Sequence, residues 1–199
     1  MLFKGKIYLG SGRCKRCKKE YYKLVREIID YLYNHPSIIV WVPFNEGWGQ
    51  FDTYKVTEMI KSIDKTRLVD SASGWIDVGA GDMKDVHSYP KPKLPEQDGK
   101  RAMVCGEYGG LGLICKEHVW KCRFKWAYRK YRNSEELKRA YENVVNELKE
   151  LIKNGLSASV YTQIVDVEGE VNGLLTYDRE VMKISPEEIK RINRSITLV

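Results

Sequence analysis

An apolar run in the first quarter of the chain constrains the fold more than any other feature. Residues 37–44, SIIVWVPF, show no alternation of polar and apolar side chains, which is typical of a strand buried on both faces of a parallel sheet. Parallel strands need crossover connections, and these are usually helices. The run therefore predicts an α/β fold in which strands and helices alternate along the chain.

The pattern after residue 19 predicts this alternation in detail. Apolar residues recur at helical spacing near residues 21–32, 53–63 and 134–152, and SPEEIKRIN predicts a fourth helix capped by Ser185. Short apolar segments between the helices predict four more strands, in RLVDSAS, KDVHSYP, RAMVCGEYGG and ASVYTQIVDVEGE. We therefore expect about five parallel strands with flanking helices, joined by right-handed crossovers.

Length and charge indicate one domain with a basic end. A chain of 199 residues is long enough for a single domain with its own core. Residues 1–20 contain seven lysines and arginines and one glutamate, a net +6 of the chain's +7, so the rest is nearly neutral. We interpret residues 1–19 as a basic segment and residues 20–199 as the domain. A basic segment of this kind is more often a solvated or disordered tail than a nucleic-acid-binding arm, so the tail is favoured.

Composition also bears on location and on metal binding. No run of about 18 apolar residues occurs, so no membrane span is expected, and MLFKGKIYLG has no apolar core of the kind found in a secretory signal. The expected location is the cytoplasm, where the five cysteines fit reduced thiols better than a disulfide framework. Cys14 and Cys17 form a CxxC motif, but no second ligand pair accompanies them, so neither a metal nor a cofactor is expected.

Polar residues follow the predicted strands at their carboxyl ends, where parallel sheets place their active sites. Glu46 and Glu107 each come directly after an apolar strand, so rigid backbone would hold both carboxyl groups at this edge. Two carboxyl groups that face each other across a sugar are what glycoside hydrolysis requires. Aromatic faces on which a pyranose ring could stack are expected from Trp48, Trp75, Tyr89 and Tyr108.

A structural explanation exists for each of these residues taken alone. A glutamate at a strand end is more often a helix cap or a salt-bridge partner than a catalyst. His87 alone is as readily a hydrogen-bonded structural histidine as a site residue. The residue pattern by itself therefore leaves both interpretations of the two glutamates open.

Four segments occur in a characteristic order: NHPSIIVWVPFNEGWGQ, DVHSYP, GEYGG and GLSASVYTQIVDVEGEVNGLLTYDRE. Together they resemble the catalytic domain of family 2 glycoside hydrolases, the group of β-galactosidase, β-glucuronidase and β-mannosidase. The resemblance runs from about residue 20 to residue 195. It implies a (β/α)8 TIM barrel of which this chain carries strands resembling the fourth to the eighth, so an incomplete barrel is expected.

The resemblance also implies a role for individual residues. Glu46 is expected to be the general acid/base, and Glu107 the nucleophile of a retaining mechanism that needs no metal and no cofactor. Asn45 is expected to hydrogen-bond the sugar 2-hydroxyl, and Tyr89 to lie against Glu107 and orient it. The remaining expected substrate-binding residues are Trp48, Trp75 and His87.

Three functions are open at this stage. The first is a retaining β-glycosidase acting on carbohydrate β-glycosides. The second is a truncated, non-catalytic carbohydrate-binding or assembly subunit on the same scaffold, and the third is a basic nucleic-acid-binding module driven by residues 1–20. An incomplete barrel exposes strand edges and apolar surface, so we also expect a homo-oligomer or a separately encoded amino-terminal half as partner.

Overall fold

The computed structural model describes residues 14–121 and 124–196. These residues form four helices and seven strands. In chain order they are α1 (Lys15–Leu32), β1 (Val40–Trp41), α2 (Thr53–Ile63), β2 (Leu68–Val69), β3 (Met83–Ser88), β4 (Ala102–Gly109), β5 (Leu111–Leu113), β6 (Arg129–Tyr131), α3 (Ser134–Lys153), β7 (Leu156–Thr162) and α4 (Pro186–Arg194). The chain divides into a first unit, Met1–Val86 with Pro95–Val104, and a second unit, His87–Leu94 with Cys105–Val199.

The strands of the described residues form three sheets. β1 and β2 pair in parallel with Val40 opposite Leu68, and β5 and β6 pair in parallel with Leu111 opposite Arg129. The third sheet has the strand order β3-β4-β7, and none of the three sheets closes into a barrel. The predicted alternation of helices and parallel strands is confirmed, and the five predicted strands correspond to β1, β2, β3, β4 and β7.

The core of the first unit lies between its two helices and the β1–β2 sheet. The buried residues of this core are Ile29, Phe44, Phe51, Val56, Ile60, Val69 and Ala72. Tyr21 of α1 stacks on Phe44 with 5.3 Å between ring centroids, and Phe51 meets Tyr21 edge-on at 5.2 Å. The periodic apolar positions of α1 and α2 thus form the inward faces that their spacing predicted.

The start of α1 differs from the sequence-based expectation. The helix begins at Lys15, so the expected boundary at residue 20 falls inside a helix, whereas residues 1–13 lie outside the described residues. Cys14 and Cys17 are joined in a disulfide, so the prediction of reduced thiols is wrong for this pair. The first helical turn brings their Cα atoms to 5.1 Å, which is within the usual range for a disulfide. Cys105 and Cys115 are free thiols.

The second unit is organised around the longest described helix. Asn133 caps α3 by accepting the backbone N–H of Glu136 through its side-chain oxygen at 2.9 Å, and the helix covers the predicted range 134–152. The buried face of α3 consists of Leu137, Tyr141, Val144, Val145 and Leu148 and contacts β5 and β7. α4 begins with Pro186 behind the Ser185 cap. None of the described helices is both long and apolar enough to cross a membrane.

A buried carboxylate at the end of α2 ties the first unit together. Asp64 accepts hydrogen bonds from Arg67 Nη1 at 2.7 Å, from Trp41 Nε1 at 2.9 Å and from the Thr66 hydroxyl at 2.6 Å. Burial alone would raise the pKa of Asp64, but these hydrogen bonds outweigh burial and hold the pKa well below its usual range. The side chain is therefore an ionised, fully paired group that connects α2, β1 and the turn before β2.

Replacing Asp64 by Asn is expected to lower the free energy of unfolding by about 3 kcal/mol, because it leaves the buried Arg67 guanidinium without its counter-charge. The ionised carboxylate stabilises the fold above its unfolded pKa of about 4, and this contribution is lost as the pH falls towards the lower folded pKa. Chemical unfolding at pH 7 and pH 3 measures both effects. Asp30→Asn, on the exposed face of α1, is the matched control, and equal effects of the two substitutions would contradict the prediction.

Candidate active site

The Asn45–Glu46 pair lies where the backbone ladder of the first unit continues beyond β1. Ser73 N–H donates to Phe44 O at 2.9 Å, and Glu46 N–H donates to Ser73 O at 2.8 Å. Asn45 and Ser73 are bridge partners in parallel register. The β1–β2 pairing is thereby extended to Glu46, so this carboxyl group projects from a backbone fixed by sheet hydrogen bonds.

The chain turns sharply at Glu46. Its φ of 52° is left-handed, a conformation that is rare and unfavourable for a residue with a Cβ. Gly47 follows at φ 74°, and a Cβ there would lie 2.6 Å from Cδ1 of Ile76. Trp48 N–H closes the turn on Asn45 O at 3.1 Å. Backbone strain of this kind persists only where the surrounding structure imposes it, and it clusters at functional sites.

A cavity of about 390 Å³ adjoins this turn within the first unit. Asn45 and Trp48 line it together with Cys17, Tyr21, Pro43, Phe44, Gly49 and Phe51. Its volume lies in the range of small-molecule sites, and half of its lining residues are aromatic. Trp48 is 65% exposed, whereas Trp75 is 58% exposed in the loop after β2 and does not line this cavity.

Two buried carboxyl groups lie behind the Asn45–Glu46 turn. Asp70 and Asp85 are 5% and 7% exposed, and Ser73 Oγ donates to Asp85 Oδ2 at 2.5 Å. Burial and, after it, the neighbouring Asp85 raise the pKa of Asp70 to about 8, so one proton is shared at this site near neutral pH. Ser73 therefore links the acid pair to Glu46. Its side chain contacts Asp85, and its backbone oxygen accepts the N–H of Glu46.

We expect the free energy of unfolding to fall as the pH rises from about 4 to about 8, because the folded state keeps a proton on Asp70 that the unfolded state has lost. Asp70→Asn replaces the protonated acid by a neutral amide donor and removes this slope. The free energy of unfolding of the variant should exceed that of the parent by up to about 5 kcal/mol at pH 9 and should equal it at pH 4. Urea unfolding at the two pH values measures the difference, and an equal loss at both would contradict the assignment.

In the second unit, Glu107 is held at the carboxyl end of β4 by two aromatic side chains. The Tyr89 hydroxyl donates to Glu107 Oε2, and His87 Nδ1 lies 3.3 Å from the same oxygen. The Tyr89 oxygen is also 3.0 Å from Thr162 Oγ1, at the end of β7. Burial, and then the bond to Glu107, raise the pKa of Tyr89 above its usual value, so this phenol remains a donor.

An aromatic wall stands beside this carboxylate. Tyr89 stacks on Tyr128 with 3.7 Å between ring centroids and an interplanar angle of 3°. Trp126 meets Tyr128 edge-on at 5.5 Å, and both of these side chains are about half exposed. Sequence reasoning missed Tyr128, because it lies in an irregular segment and nothing in the sequence pattern there indicates that it contacts Tyr89. The wall offers the type of face on which sugar rings stack.

The prediction that Tyr108 contributes an aromatic face is wrong. Tyr108 is 5% exposed and packs edge-on against Tyr161 with ring centroids 5.6 Å apart. Successive side chains of a strand point to opposite faces, so Tyr108 faces the core when Glu107 faces the site. Alternation along β4 could have excluded Tyr108 from the sequence alone.

A polar chain on the loop after β7 was also missed. Gln163 Nε2 donates to Asn172 Oδ1 at 2.6 Å, and Asn172 Nδ2 donates to Glu170 Oε1 at 2.9 Å. Burial raises the pKa of Glu170, and the charge of Glu107 acts in the same direction. Gln163 directly follows Thr162, so this polar chain begins beside the Tyr89–Glu107 pair.

The structure distributes the predicted site residues over both units. Asn45, Glu46, Trp48 and Trp75 belong to the first unit, whereas His87, Tyr89 and Glu107 belong to the second. Within the first unit Asn45, Glu46 and Trp48 share one turn, and within the second unit His87 and Tyr89 both contact Glu107. Trp75 stands apart from the Asn45–Trp48 cavity. The catalytic and binding roles of these residues stay predictions.

Comparison with known proteins agrees with this fold. Carboxylates at strand ends on an α/β scaffold with parallel strands are features of barrel enzymes. The chain belongs to the glycosyl hydrolases of family 2, because the family model of their TIM barrel domain matches residues 8–149. The structure accordingly represents a partial TIM barrel. No curated protein matches the chain in sequence.

Solved structures with the same fold include three β-glucuronidases. That of Dictyoglomus thermophilum superposes with a TM-score of 0.65 at 15% identity, over 97% of this chain and 38% of its own. The FMN-binding enzyme of Faecalibacterium prausnitzii L2-6 superposes with a TM-score of 0.58 at 20% identity, over 85% of this chain and 31% of its own. β-Glucuronidase 3 of Bacteroides uniformis superposes with a TM-score of 0.60 at 14% identity, over 94% of this chain and 29% of its own. At these identities the likeness shows the fold, and this chain spans about a third of each enzyme.

Proposed function

We propose that this chain carries the catalytic residues of a retaining β-glycosidase, with Glu46 as general acid/base and Glu107 as nucleophile. The observation that carries the proposal is the environment of Glu107. A strand-end carboxylate that accepts a hydrogen bond from a half-buried phenol is fixed in orientation and keeps its second oxygen available for attack. Membership of family 2 and the Asn45–Glu46 turn support the same conclusion.

The proposed reaction has two displacement steps. Glu107 attacks the anomeric carbon as Glu46 donates its proton to the departing glycosidic oxygen, which gives a covalent glycosyl ester. Glu46 then deprotonates a water molecule that attacks the same carbon, and Glu107 leaves as the free carboxylate. Each displacement inverts the configuration at the anomeric carbon, so the product retains the configuration of the substrate. This mechanism needs the two carboxyl groups about 5–5.5 Å apart during turnover, and no step requires a metal or a cofactor.

An apolar surface on the first unit supports association as part of the proposal. Leu24 and Ile28 of α1 are about half exposed, as is Val42, and Ile39 is 71% exposed. Ile28 and Val42 line one cavity, and exposed apolar side chains of this kind are typical of a surface that another polypeptide covers. We propose that this partner is a second copy of the chain or a separately encoded amino-terminal barrel half.

A non-catalytic carbohydrate-binding or assembly subunit is the second candidate. It is favoured by one observation, that no sheet of the described residues closes into a barrel. Displacement of a catalytic group by about 1 Å can reduce the rate roughly a hundredfold, so an open barrel could bind a sugar without cleaving it.

Hydrolysis of a panel of 4-nitrophenyl β-glycosides by the purified chain distinguishes the two candidates. The panel contains the galactoside, glucoside, glucuronide and mannoside, and light scattering on the same sample gives the oligomeric state. The enzyme proposal predicts steady turnover of at least one glycoside. Saturable sugar binding without turnover would instead establish the non-catalytic subunit.

A further inference from the structure

A second carboxylate lies beside the Glu107 site and has no role in the two-step mechanism. Glu170 sits in the loop after β7, and the backbone of Trp126 holds the residues on either side of it. Trp126 N–H donates to Gly169 O at 2.9 Å, and Val171 N–H donates to Trp126 O at 2.9 Å. The position of Glu170 is therefore set by paired backbone and not by a free loop.

The side chain of Glu170 is fixed as well. Asn172, which is fully buried, donates to Glu170 Oε1 at 2.9 Å and accepts from Gln163 at 2.6 Å. A carboxylate held by a buried amide that a second amide holds in turn is pre-organised for binding, and carboxylate and amide groups together suit the hydroxyl groups of a sugar.

The charge around this position is negative. Glu107 and Glu170 are close enough for their charges to interact. Among the described residues, the side chains in contact with these two carboxylates are those of Tyr89, His87 and Asn172, with no lysine or arginine.

Lys183, the buried cation on the same loop, is not available to a ligand. Lys183 is 1% exposed, and its ammonium group binds both oxygens of Asp166 at 2.7 and 2.8 Å and the carbonyl of Val171 at 3.1 Å. An ammonium group with these three acceptors has no donor left for a substrate. A substrate carboxylate that approached Glu107 and Glu170 would therefore meet like charge that Lys183 does not compensate.

We propose that Glu170, held by Asn172 and Gln163, makes this site select β-glycosides of neutral sugars over those of uronic acids. The inference rests on the proposed hydrolysis and adds the substrate class. It differs from the activity of the β-glucuronidases that share the fold. Two like charges about 6 Å apart in a partly buried site repel strongly enough to change binding roughly a hundredfold.

The test compares kcat/KM for the best neutral 4-nitrophenyl β-glycoside with kcat/KM for the glucuronide. In the parent the ratio should be roughly 100 or more, and in Glu170→Gln it should fall at least about tenfold because the repulsion is removed. Glu168→Gln is the matched control, since it makes the same change at an exposed position two residues away in the same loop. Its ratio should stay within about twofold of the parent value.

The possible outcomes are distinct. A parent that prefers the glucuronide, or a folded Glu170→Gln variant with the parent's ratio, overturns the inference and leaves the proposed hydrolysis intact. If Glu170→Gln does not fold, as judged by its thermal unfolding, the ratio measured on the parent alone decides. A chain that hydrolyses no glycoside in the panel contradicts the proposed function itself, and the selectivity falls with it.

Discussion

Replacing Glu107 by Gln is expected to lower kcat on the best aryl β-glycoside about 10⁴-fold or more. The substitution keeps the size of the side chain and its ability to accept the Tyr89 hydrogen bond, but an amide cannot form the glycosyl ester. KM should change much less than kcat, because the loss concerns a bond made only in the reaction. Initial rates over a range of substrate concentrations measure both constants.

The control for this substitution is Glu117→Gln, an exposed glutamate of the same unit. It makes the same change in charge and should keep the parent rate. Both variants should share the thermal unfolding midpoint of the parent. Retained turnover in a folded Glu107→Gln variant would contradict the assignment of the nucleophile.

Replacing Glu46 by Gln is expected to have an effect that depends on the leaving group. For 4-methylumbelliferyl or alkyl glycosides, whose leaving oxygens need a proton, kcat/KM should fall about 10²–10⁴-fold. For a 2,4-dinitrophenyl glycoside, whose leaving group departs without a proton, kcat/KM should fall roughly tenfold or less. Added azide should speed turnover of this substrate by replacing the water that Glu46 activates, and should yield a β-glycosyl azide.

The control here is Glu58→Gln, on the exposed side of α2 in the same unit. Its kinetics should match the parent for every leaving group. A Glu46→Gln variant that lost the same factor on all leaving groups, without response to azide, would show that Glu46 acts in positioning and not in proton transfer.

Elements with a local signal were predictable from the sequence. The apolar periodicity of α3 and its cap, Asn133, define a helix without reference to the rest of the chain, and the same holds for Ser185 and α4. Glu46 and Glu107 were singled out because each follows an apolar run directly, which is a local signal. Strands β5 and β6 were missed because segments of three residues, LGL and RKY, carry no measurable period.

Features that depend on distant partners were not predictable. The Asp70–Asp85 pair joins the residue that follows β2 to a residue of β3, and the link from Gln163 through Asn172 to Glu170 requires the loop after β7 to fold back on itself. The Cys14–Cys17 disulfide was missed because reduced thiols were predicted from the number of cysteines in the whole chain. Pairing of these two cysteines depends instead on the geometry of one helical turn. Hydrophobic pattern reports burial, and it contains no information about which polar groups meet.

The most direct test of the two-glutamate account is to trap the glycosyl-enzyme. The purified chain is incubated with the 2-deoxy-2-fluoro dinitrophenyl glycoside of the sugar that the panel identifies, and the adduct is located by mass spectrometry of peptides. The account predicts one fluoroglycosyl group per chain on the peptide that contains Glu107, and none in Glu107→Gln. An adduct on another residue, or rapid hydrolysis of natural substrates to a product of inverted configuration without any adduct, would contradict it.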